Sequence, residues 1–546
     1  MQIGDAFALR SPLQIGMLCY SRVRRRPPRL PHLRGTPEGQ ALKGIRFVGC
    51  LFSFPVQTQG WRPRPKRCTT FVTGAAQHRE PPRPVIPTTS THPIMNRPTT
   101  VPLTLTHLPR TVEARLAAHV PPKVLLLEGP RGSGKTTLLR RRVERENRPV
   151  RRLSGADPDD RRLLERLTSS DDYAGLLRSS PVIVIDELQR LRDPGLTIKL
   201  LVDIAQSRLD DPPLLFAASD TFPGVNNLNW IKTLGRVRTV PVLPPSLPEL
   251  SAAYGPGFVA AHMEAFVRFG TLPIVLPALG DPERAAGILR GFVATTLLED
   301  ALRARRLRRK DLLLPALKLF AEAIARPLRI TAVARKLASS RDVADRLLTA
   351  LAMTHVLRML TPSGLALRWE PDVDETRIPA LEKGFMADFA DTGVRNAVLD
   401  LARGNEGSAF APLADRPDRE ALWAAFVRQE LSKVWGDVEL FGTFSFWRTK
   451  RTDGSIPPRI IVRKRPRDGR ILGYVSAYSG DALAAAGREA RLFQTAAPKA
   501  VVRIVTPENL LEVLETAAGS EGEVSSSCKG PYRSGVSTPR ASKSRA

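Results

Sequence analysis

The sequence has little cysteine, no long apolar run and fewer acidic than basic residues. Its cysteines are Cys19, Cys50, Cys68 and Cys528, and they lack the spacing of metal ligands. We therefore expect no zinc site and no structural disulfide, and we predict a reducing compartment. No apolar run reaches the roughly 18 residues that a membrane-spanning helix needs, and the first residues carry no secretory signal. These absences predict a cytoplasmic protein without a membrane partner.

The shortage of acidic residues gives a formal net charge of +29, from 83 Lys and Arg against 54 Asp and Glu. Residues 1–100 hold 16 basic and 3 acidic residues, many prolines and no sustained periodicity. Because proline at this density blocks helices and sheet pairing, we predict a disordered Pro/Arg-rich extension there. It is either a binding or targeting arm or an artefact of a gene whose translation begins at Met95, and we favour the artefact. Residues 519–546 have the composition of a disordered tail.

A glycine-rich loop between a strand and a helix is the most informative feature of the chain. It has the pattern G-x-x-x-x-G-K-[ST] and follows the apolar run 124–127. The backbone of such a loop wraps around phosphate oxygens, and the positive end of the following helix adds to the attraction. We assign Lys135 to the β- and γ-phosphates of ATP and the Thr136 hydroxyl to Mg²⁺. The predicted ATP-binding residues are Gly129, Pro130, Arg131, Gly132, Ser133, Gly134, Lys135, Thr136 and Thr137.

A second motif strengthens this interpretation. Residues 181–187 form an unbroken apolar run that ends in Asp186 and Glu187. Such a run is typical of a buried parallel strand, and ligands bind at the carboxyl ends of parallel strands. We assign Asp186 to Mg²⁺ and Glu187 to the water that attacks the γ-phosphate. The alternative is that Asp186 and Glu187 have no catalytic role and are the solvated acidic start of a helix after the strand.

The order of strands and helices predicts an α/β fold with a parallel sheet covered on both faces. We predict a P-loop ATPase domain at 101–245 and a helical lid at 246–315. The basic run at 303–310 is either a solvated helix face or a docking surface for a nucleic acid or an acidic partner. The middle of the chain is basic overall, which is compatible with a polyanionic partner.

Residues 316–375 have the pattern of a winged helix. The predicted elements are helices at 317–325, 331–337 and 341–351 and a β-hairpin at 357–369. In a helix-turn-helix the second helix of the motif enters the major groove of DNA. The acidic Asp342 and Asp345 beside Arg341 and Arg346 weaken the prediction of DNA contact, and packing against a neighbouring domain stays open.

With these residues in view, residues 105–515 resemble AAA-type ATPases whose C-terminal half is an uncharacterised domain with a restriction-nuclease-like fold. The glycine-rich loop and the strand ending in Asp186 and Glu187 are the specific matches. The weaker matches, in the family's order, lie at 235–236, 245–250, 269–273, 391–394, 426–431 and 446–448.

The resemblance implies two sensor residues. It puts Ser219 at the segment that monitors the γ-phosphate, although the family usually has Gly-Ser where this chain has Ala218-Ser219. It assigns Arg236 to phosphate sensing or to the site of a neighbouring subunit, so an oligomer is one expectation.

The C-terminal part departs from the family's pattern. Members often carry Glu-x-Asp on one strand and Glu-x-Lys on the next, as metal-dependent nucleases do. The corresponding strands at 456–462 and 471–476 contain no carboxylate. Because a metal site needs anionic ligands, we predict a degenerate nuclease-like domain at 376–518 without nuclease activity. A partial site formed by Glu430 and Asp453 is the weaker alternative.

The sequence therefore predicts a Mg²⁺-dependent ATPase that couples its nucleotide state to a protein partner or a nucleic acid. Glu187 would act on water, and Ser219 and Arg236 would sense the phosphate. Two alternatives stay open, a nucleotide-gated switch with little hydrolysis and a DNA-binding regulatory protein.

Overall fold

A computed structural model describes most of the chain between Leu108 and Gly522, and all of this part belongs to one compact unit. The described residues are 108–221, 235–298, 309–362, 384–404, 407–436, 444–447, 460–464 and 469–522. The predicted extension at 1–100, the basic run from 303 to 308 and the chain beyond 522 lie outside them.

Five strands form the predicted parallel sheet, in the order β2-β3-β4-β1-β5. They are β1 (Val124–Glu128), β2 (Val150–Ser154), β3 (Val182–Asp186), β4 (Leu214–Ser219) and β5 (Val237–Pro241). The helices of this part are α1 (Glu113–Ala117), α2 (Lys135–Glu144), α3 (Pro158–Arg166), α4 (Ser170–Arg178) and α5 (Pro194–Arg208). All residues of β1 are buried, as expected for a central strand with helices on both faces.

The two faces of this sheet have separate apolar cores. Leu125 and Leu127 of β1 join residues of α2 on one face, and Val124 and Leu126 join residues of α4 and α5 on the other. Successive side chains of a strand point to opposite faces, so one short apolar strand serves both cores. The carboxyl ends of β1, β3 and β4 are thereby fixed at one edge of the sheet.

A helical region follows the sheet. Its helices are α6 (Leu247–Tyr254), α7 (Pro256–Ala261), α8 (Met263–Phe269), α9 (Pro282–Gly291), α10 (Leu313–Glu322), α11 (Ile330–Lys336), α12 (Arg341–Met353) and α13 (Thr392–Ala402). Helices α11 and α12 lie within one or two residues of the predicted helices 331–337 and 341–351, while α10 begins four residues before the predicted helix 317–325 and ends three residues before its end. The strand β6 (Leu357–Leu360) pairs antiparallel with β7 (Met386–Phe389), while the predicted second strand of the hairpin lies outside the described residues.

The C-terminal part contains a smaller sheet, with the order β11-β10-β9-β8. Its elements are α14 (Arg419–Trp435), β8 (Phe444–Trp447), β9 (Ile460–Lys464), β10 (Ile471–Ser476), α15 (Gly480–Ala496), β11 (Val501–Val505) and α16 (Leu510–Gly522). Helix α15 packs on one face of this sheet, and α14 lies on the other. Within the described residues no helix is long and apolar enough to cross a membrane.

One apolar core extends through the helical region and one face of the smaller sheet, from Leu247 to Ala517. It crosses the predicted boundaries after residues 315 and 375, and the pairing of β6 with β7 crosses the second of them. Helix α16 ends at Gly522, beyond the predicted domain end at 518. The lid, the winged-helix segment and the C-terminal part therefore share their apolar interior.

Candidate active site

The glycine-rich loop connects the end of β1 to the start of α2. Gly134 has a φ of 99° and lies directly before the first helical residue, Lys135. Glycine adopts this left-handed conformation without steric cost, which allows the chain to turn sharply into the helix. Lys135 therefore begins α2 directly after the turn, and its side chain reaches back to the backbone of the loop.

Lys135 is buried in this loop. Its Nζ atom donates hydrogen bonds to the carbonyl oxygens of Gly129 at 2.9 Å and Pro130 at 2.8 Å. It also lies 2.6 Å from Oδ1 of Asp220, directly after β4. The ammonium group is thus held at the carboxyl edge of the sheet, as the motif predicts.

Thr136 and Asp186 meet at the same edge. The Thr136 hydroxyl donates to Oδ2 of Asp186 at 2.9 Å. Mg²⁺ prefers oxygen ligands and usually keeps several waters beside one or two carboxylates and the substrate phosphates. A hydroxyl and a carboxylate in direct contact beside a phosphate-binding loop fit this preference.

Glu187 is held by its neighbours in the turn after β3. Its Oε2 atom accepts hydrogen bonds from Nε of Arg190 at 2.9 Å and from Nε2 of Gln189 at 3.0 Å. Burial, followed by the charge of Asp220, raises the pKa of the Glu187 carboxyl above its usual value. A raised pKa is typical of carboxylates that act as general bases.

Ser219 is connected to Glu187 through Gln189. The Ser219 hydroxyl lies 3.0 Å from Oε1 of Gln189, whose amide nitrogen donates to Glu187. Ser219 thus lies near the predicted base, at the end of β4. The role of Gln189 was not predicted, although its place two residues after Glu187 is visible in the sequence.

The structure does not bring Arg236 to this edge. Arg236 directly precedes β5, and its guanidinium pairs with Asp203 of α5, with Nε 2.5 Å from Oδ1. Val237, the next residue, is in register with Val124 at the start of β1, whereas the phosphate loop follows the end of β1. Arg236 therefore lies at the opposite end of the sheet, which does not suit phosphate sensing within its own chain. A role towards a neighbouring subunit stays a prediction.

A second polar cluster, which we call the buried junction, lies where the sheet domain meets the helical region. It consists of Arg110, Ser246, Glu249, Thr271, Asp391, Glu430 and Lys433. Most of these residues belong to the weaker matches of the family resemblance, which are far apart in sequence. The structure brings them into two hydrogen-bonded groups that meet at the backbone of residues 245–247. One contains Arg110, Ser246 and Glu249, and the other contains Thr271, Asp391, Glu430 and Lys433.

On the side of the phosphate loop, Arg110 connects the loop to α6. Its guanidinium donates to the carbonyl oxygen of Ser133 at 3.2 Å and to Oε2 of Glu249 at 3.1 Å. Glu249 also accepts from the backbone of Ser246 at 3.0 Å and of Thr111 at 2.8 Å. Burial would raise the pKa of Glu249, but the charge of Arg110 and these backbone hydrogen bonds hold it below the usual value.

On the other side, Lys433 of α14 is the central group of the junction. Its Nζ atom lies 2.5 Å from Oε1 of Glu430 and donates to the Thr271 hydroxyl at 2.7 Å. Glu430 is fully buried, and its Oε2 atom accepts from the backbone of Leu247 at 2.8 Å. Burial raises the pKa of Glu430. Helix α14 is thereby fixed to the first turn of α6.

Asp391 completes the junction and explains a glycine in the motif at 269–273. The Asp391 carboxylate accepts from the backbone of Thr271 at 2.9 Å and of Gly393 at 2.9 Å. A Cβ atom on Gly270 would lie 1.8 Å from Oδ1 of Asp391, and Gly270 has a φ of 72°. Glycine is therefore required for this close approach.

Comparisons with known proteins identify the class of the first domain. Residues 121–250 match the family model of an AAA domain. Together with the parallel sheet and the phosphate-binding loop, this match shows that the chain contains an AAA-type P-loop ATPase domain, a class of nucleotide-binding proteins. No curated protein sequence matches the chain.

Solved structures give weaker similarities. The Walker-type ATPase of Pyrococcus abyssi is 16% identical, with a TM-score of 0.37, over 54% of this chain and 96% of that one. The Aeropyrum pernix ORC1 protein in complex with DNA is 14% identical, with a TM-score of 0.28, over 54% and 91%. A point mutant of Thermotoga maritima RuvB is 20% identical, with a TM-score of 0.24, over 45% and 85%. Such low scores support no conclusion about function.

Proposed function

We propose that this protein is a Mg²⁺-dependent ATPase that couples its nucleotide state to a protein partner or a nucleic acid. The observation that carries the proposal is the meeting of Lys135, Thr136, Asp186 and Glu187 at one edge of the parallel sheet. A cation for the phosphates, oxygen ligands for Mg²⁺ and a carboxylate with a raised pKa are the parts that phosphoryl transfer to water needs.

In this mechanism each side chain has a separate task. Lys135 binds the β- and γ-phosphates, and Thr136 with Asp186 holds Mg²⁺. Bound there, Mg²⁺ would neutralise charge that develops on the transferred phosphoryl group. Glu187 accepts the proton of the attacking water, while Ser219 and Gln189 fix the orientation of the carboxylate.

The test compares ATP binding with ATP turnover in the variant Glu187→Gln. This change keeps the size of the side chain but removes the base. We expect ATP to bind by calorimetry while single-turnover hydrolysis falls about 10²–10⁴-fold. The control is Asp171→Asn, which removes a carboxylate from an exposed pair with Arg208. Hydrolysis by Glu187→Gln at the wild-type rate would reject Glu187 as the base.

One observation favours a second candidate, a nucleotide-gated switch with little hydrolysis. The Oε2 atom of Glu187 already accepts from Arg190 and Gln189, and Oε1 lies 3.8 Å from the guanidinium of Arg131. These contacts must loosen before Glu187 receives a proton from water. Tight ATP binding with negligible single-turnover hydrolysis by the wild-type protein would favour the switch.

Contact with DNA is a further proposal, carried by the surface of α11 and α12. Arg335, Lys336, Arg341 and Arg346 are exposed there. Asp342 is exposed as well, but Asp345 is half-buried, so basic residues outnumber acidic ones on this surface. Duplex binding should weaken with salt, in proportion to the phosphates that these residues neutralise. Replacing Arg341 and Arg346 by Gln should make duplex binding less dependent on salt concentration. An unchanged salt dependence would reject this surface.

We also propose that the C-terminal part is a nuclease-like domain kept for packing or binding. Both carboxylate oxygens of Glu430 are engaged, one by the backbone of Leu247 and one by Lys433, which leaves Glu430 unsuited to a metal. Asp453 lies outside the described residues. We expect no cleavage of DNA or RNA with Mg²⁺ or Mn²⁺. Cleavage that disappears in Glu430→Ala or Asp453→Ala would overturn this proposal.

A further inference from the structure

We propose that Asp220 is a positioning residue that occupies the place of the γ-phosphate and holds the cations of the phosphate loop until ATP displaces it. This inference rests on the ATPase function proposed above. Asp220 is not among the predicted catalytic residues. Its proposed role predicts that replacing it changes the affinities for ATP and ADP unequally.

The geometry joins two cations of the loop to one carboxylate. Oδ1 of Asp220 lies 2.6 Å from Nζ of Lys135, and Oδ2 accepts from Nη1 of Arg131 at 3.3 Å. Both cations belong to the loop that should receive the nucleotide's phosphates. Asp220 thus supplies, from the end of β4, the negative charge that a phosphate would supply.

The environment keeps Asp220 ionised. The side chain is only 13% exposed. Burial would raise the pKa of this carboxyl, but the charge of Lys135, its hydrogen bond and the charge of Arg131 lower it below the usual value. At neutral pH the loop therefore holds an anion of the protein's own.

The position of Asp220 corresponds to the terminal phosphate rather than to the α- or β-phosphate. Asp220 and Glu187 approach the same guanidinium nitrogen, because Nη1 of Arg131 lies 3.3 Å from Oδ2 of Asp220 and 3.8 Å from Oε1 of Glu187. Glu187 must act where the γ-phosphate is attacked. The γ-phosphate and the carboxylate of Asp220 therefore compete for both Lys135 and Arg131, whereas ADP competes only for Lys135, through its β-phosphate.

This competition makes a specific prediction for Asp220→Asn, which keeps the shape but removes the charge. ATP no longer has to displace an anion, and like-charge repulsion in a mostly buried site disappears. We expect ATP affinity to rise on the order of tenfold, while ADP affinity changes much less. In steady-state kinetics the gain should appear as a lower KM for ATP.

Equilibrium titrations of the full chain with Mg-ATP and with Mg-ADP test the proposal. Asp220→Glu restores the charge and should behave as the wild type. Asp171→Asn removes the same charge from an exposed pair and should change neither affinity. If Asp220→Asn does not fold, as judged by thermal unfolding, Asp220→Ser takes its place with the same expectation.

The outcomes separate this inference from the proposed function. Weaker binding of ATP to Asp220→Asn, or equal changes for ATP and ADP, would overturn the role of Asp220 while leaving the ATPase site intact. Failure of the wild-type protein to bind either nucleotide would instead reject the proposed function. A selective gain for ATP supports both.

Discussion

Two buried lysines, Lys135 and Lys433, show how one chemical arrangement can serve two purposes. Each ammonium group lies against a carboxylate, at 2.6 Å from Asp220 and at 2.5 Å from Glu430. The surroundings differ. Lys135 lies in a glycine-rich loop beside Arg131, whose side chain is 35% exposed, whereas Glu430 is fully buried and also binds the backbone of α6.

The surroundings of the two lysines determine which ion pair can exchange its partner. Asp220 has one bond to each of two cations that a phosphate can also bind, so a ligand can take its place. Glu430 holds a helix end as well as Lys433, so its release would leave buried polar groups unsatisfied. The first pair is therefore suited to binding and the second to fixing the domains together.

The variant Lys433→Met should have the largest effect on stability. It leaves the carboxylate of Glu430 buried without its cation, so the free energy of unfolding should fall by about 3–5 kcal/mol. Denaturant titration measures the change. Lys199→Met, which removes a lysine from a partly exposed pair with Asp203, is the control and should cost less than about 1 kcal/mol. Equal losses in the two variants would contradict a structural role of the junction.

Lys135→Ala should affect binding rather than the fold. In the proposed site the ammonium group of Lys135 binds the phosphates of ATP. We expect calorimetry to show that its loss lowers ATP affinity at least about a hundredfold, the usual effect of removing one partner of a buried charge contact. Lys433→Met should retain ATP affinity under conditions in which it is folded. Unchanged affinity in Lys135→Ala would reject the site.

The variant Glu249→Gln tests the buried junction through the pH dependence of stability. Because the pKa of Glu249 is lower in the folded state than its usual value of 4.5, the ionised carboxylate stabilises the fold at neutral pH, and this contribution is lost as the pH falls below about 4.5. The variant should lose about 1–3 kcal/mol at pH 7, and its deficit should shrink in acid. A deficit that is independent of pH down to about pH 3 would contradict an ionic role.

Deletion of residues 1–94 should have the smallest effect. We expect unfolding and ATP affinity to stay within about 0.5 kcal/mol of the full chain, because the extension is predicted to make no core contact. Thermal unfolding and calorimetry measure both. A large fall in melting temperature would show that this segment contributes to the fold.

The sequence was sufficient for the parts of the site that local pattern determines. The phosphate loop, Asp186 and Glu187 follow from short motifs, because the strand and helix that position them are adjacent in the chain. The contact of Lys135 with Asp220 joins the first residue of α2 to the residue after β4, which is distant in sequence, and no local pattern predicts it. The same holds for the contacts of Glu430 with Leu247 and Lys433, since the sequence offered only a partial metal site with Asp453, as the weaker alternative.

The position of Arg236 in the sheet could have been inferred from the sequence. In a parallel sheet a residue that precedes a strand lies opposite the carboxyl ends of all the strands. Arg236 precedes β5, and the structure pairs it with Asp203. The pairing of β6 with β7 shows the opposite situation, since strands distant in sequence pair through contacts that hydrophobic pattern does not specify.

The apolar core from Leu247 to Ala517 has a consequence for the order in which the protein folds during synthesis. The strands and helices of the sheet domain are complete once residue 241 has emerged, so that domain can form early. Helix α6 follows immediately, but it packs against α16 and binds Glu430 of α14. Helix α7 packs against α6 soon after it emerges, but the contacts of α6 with α16 form only after residues 510–522 have emerged, so docking of the late helices completes this core.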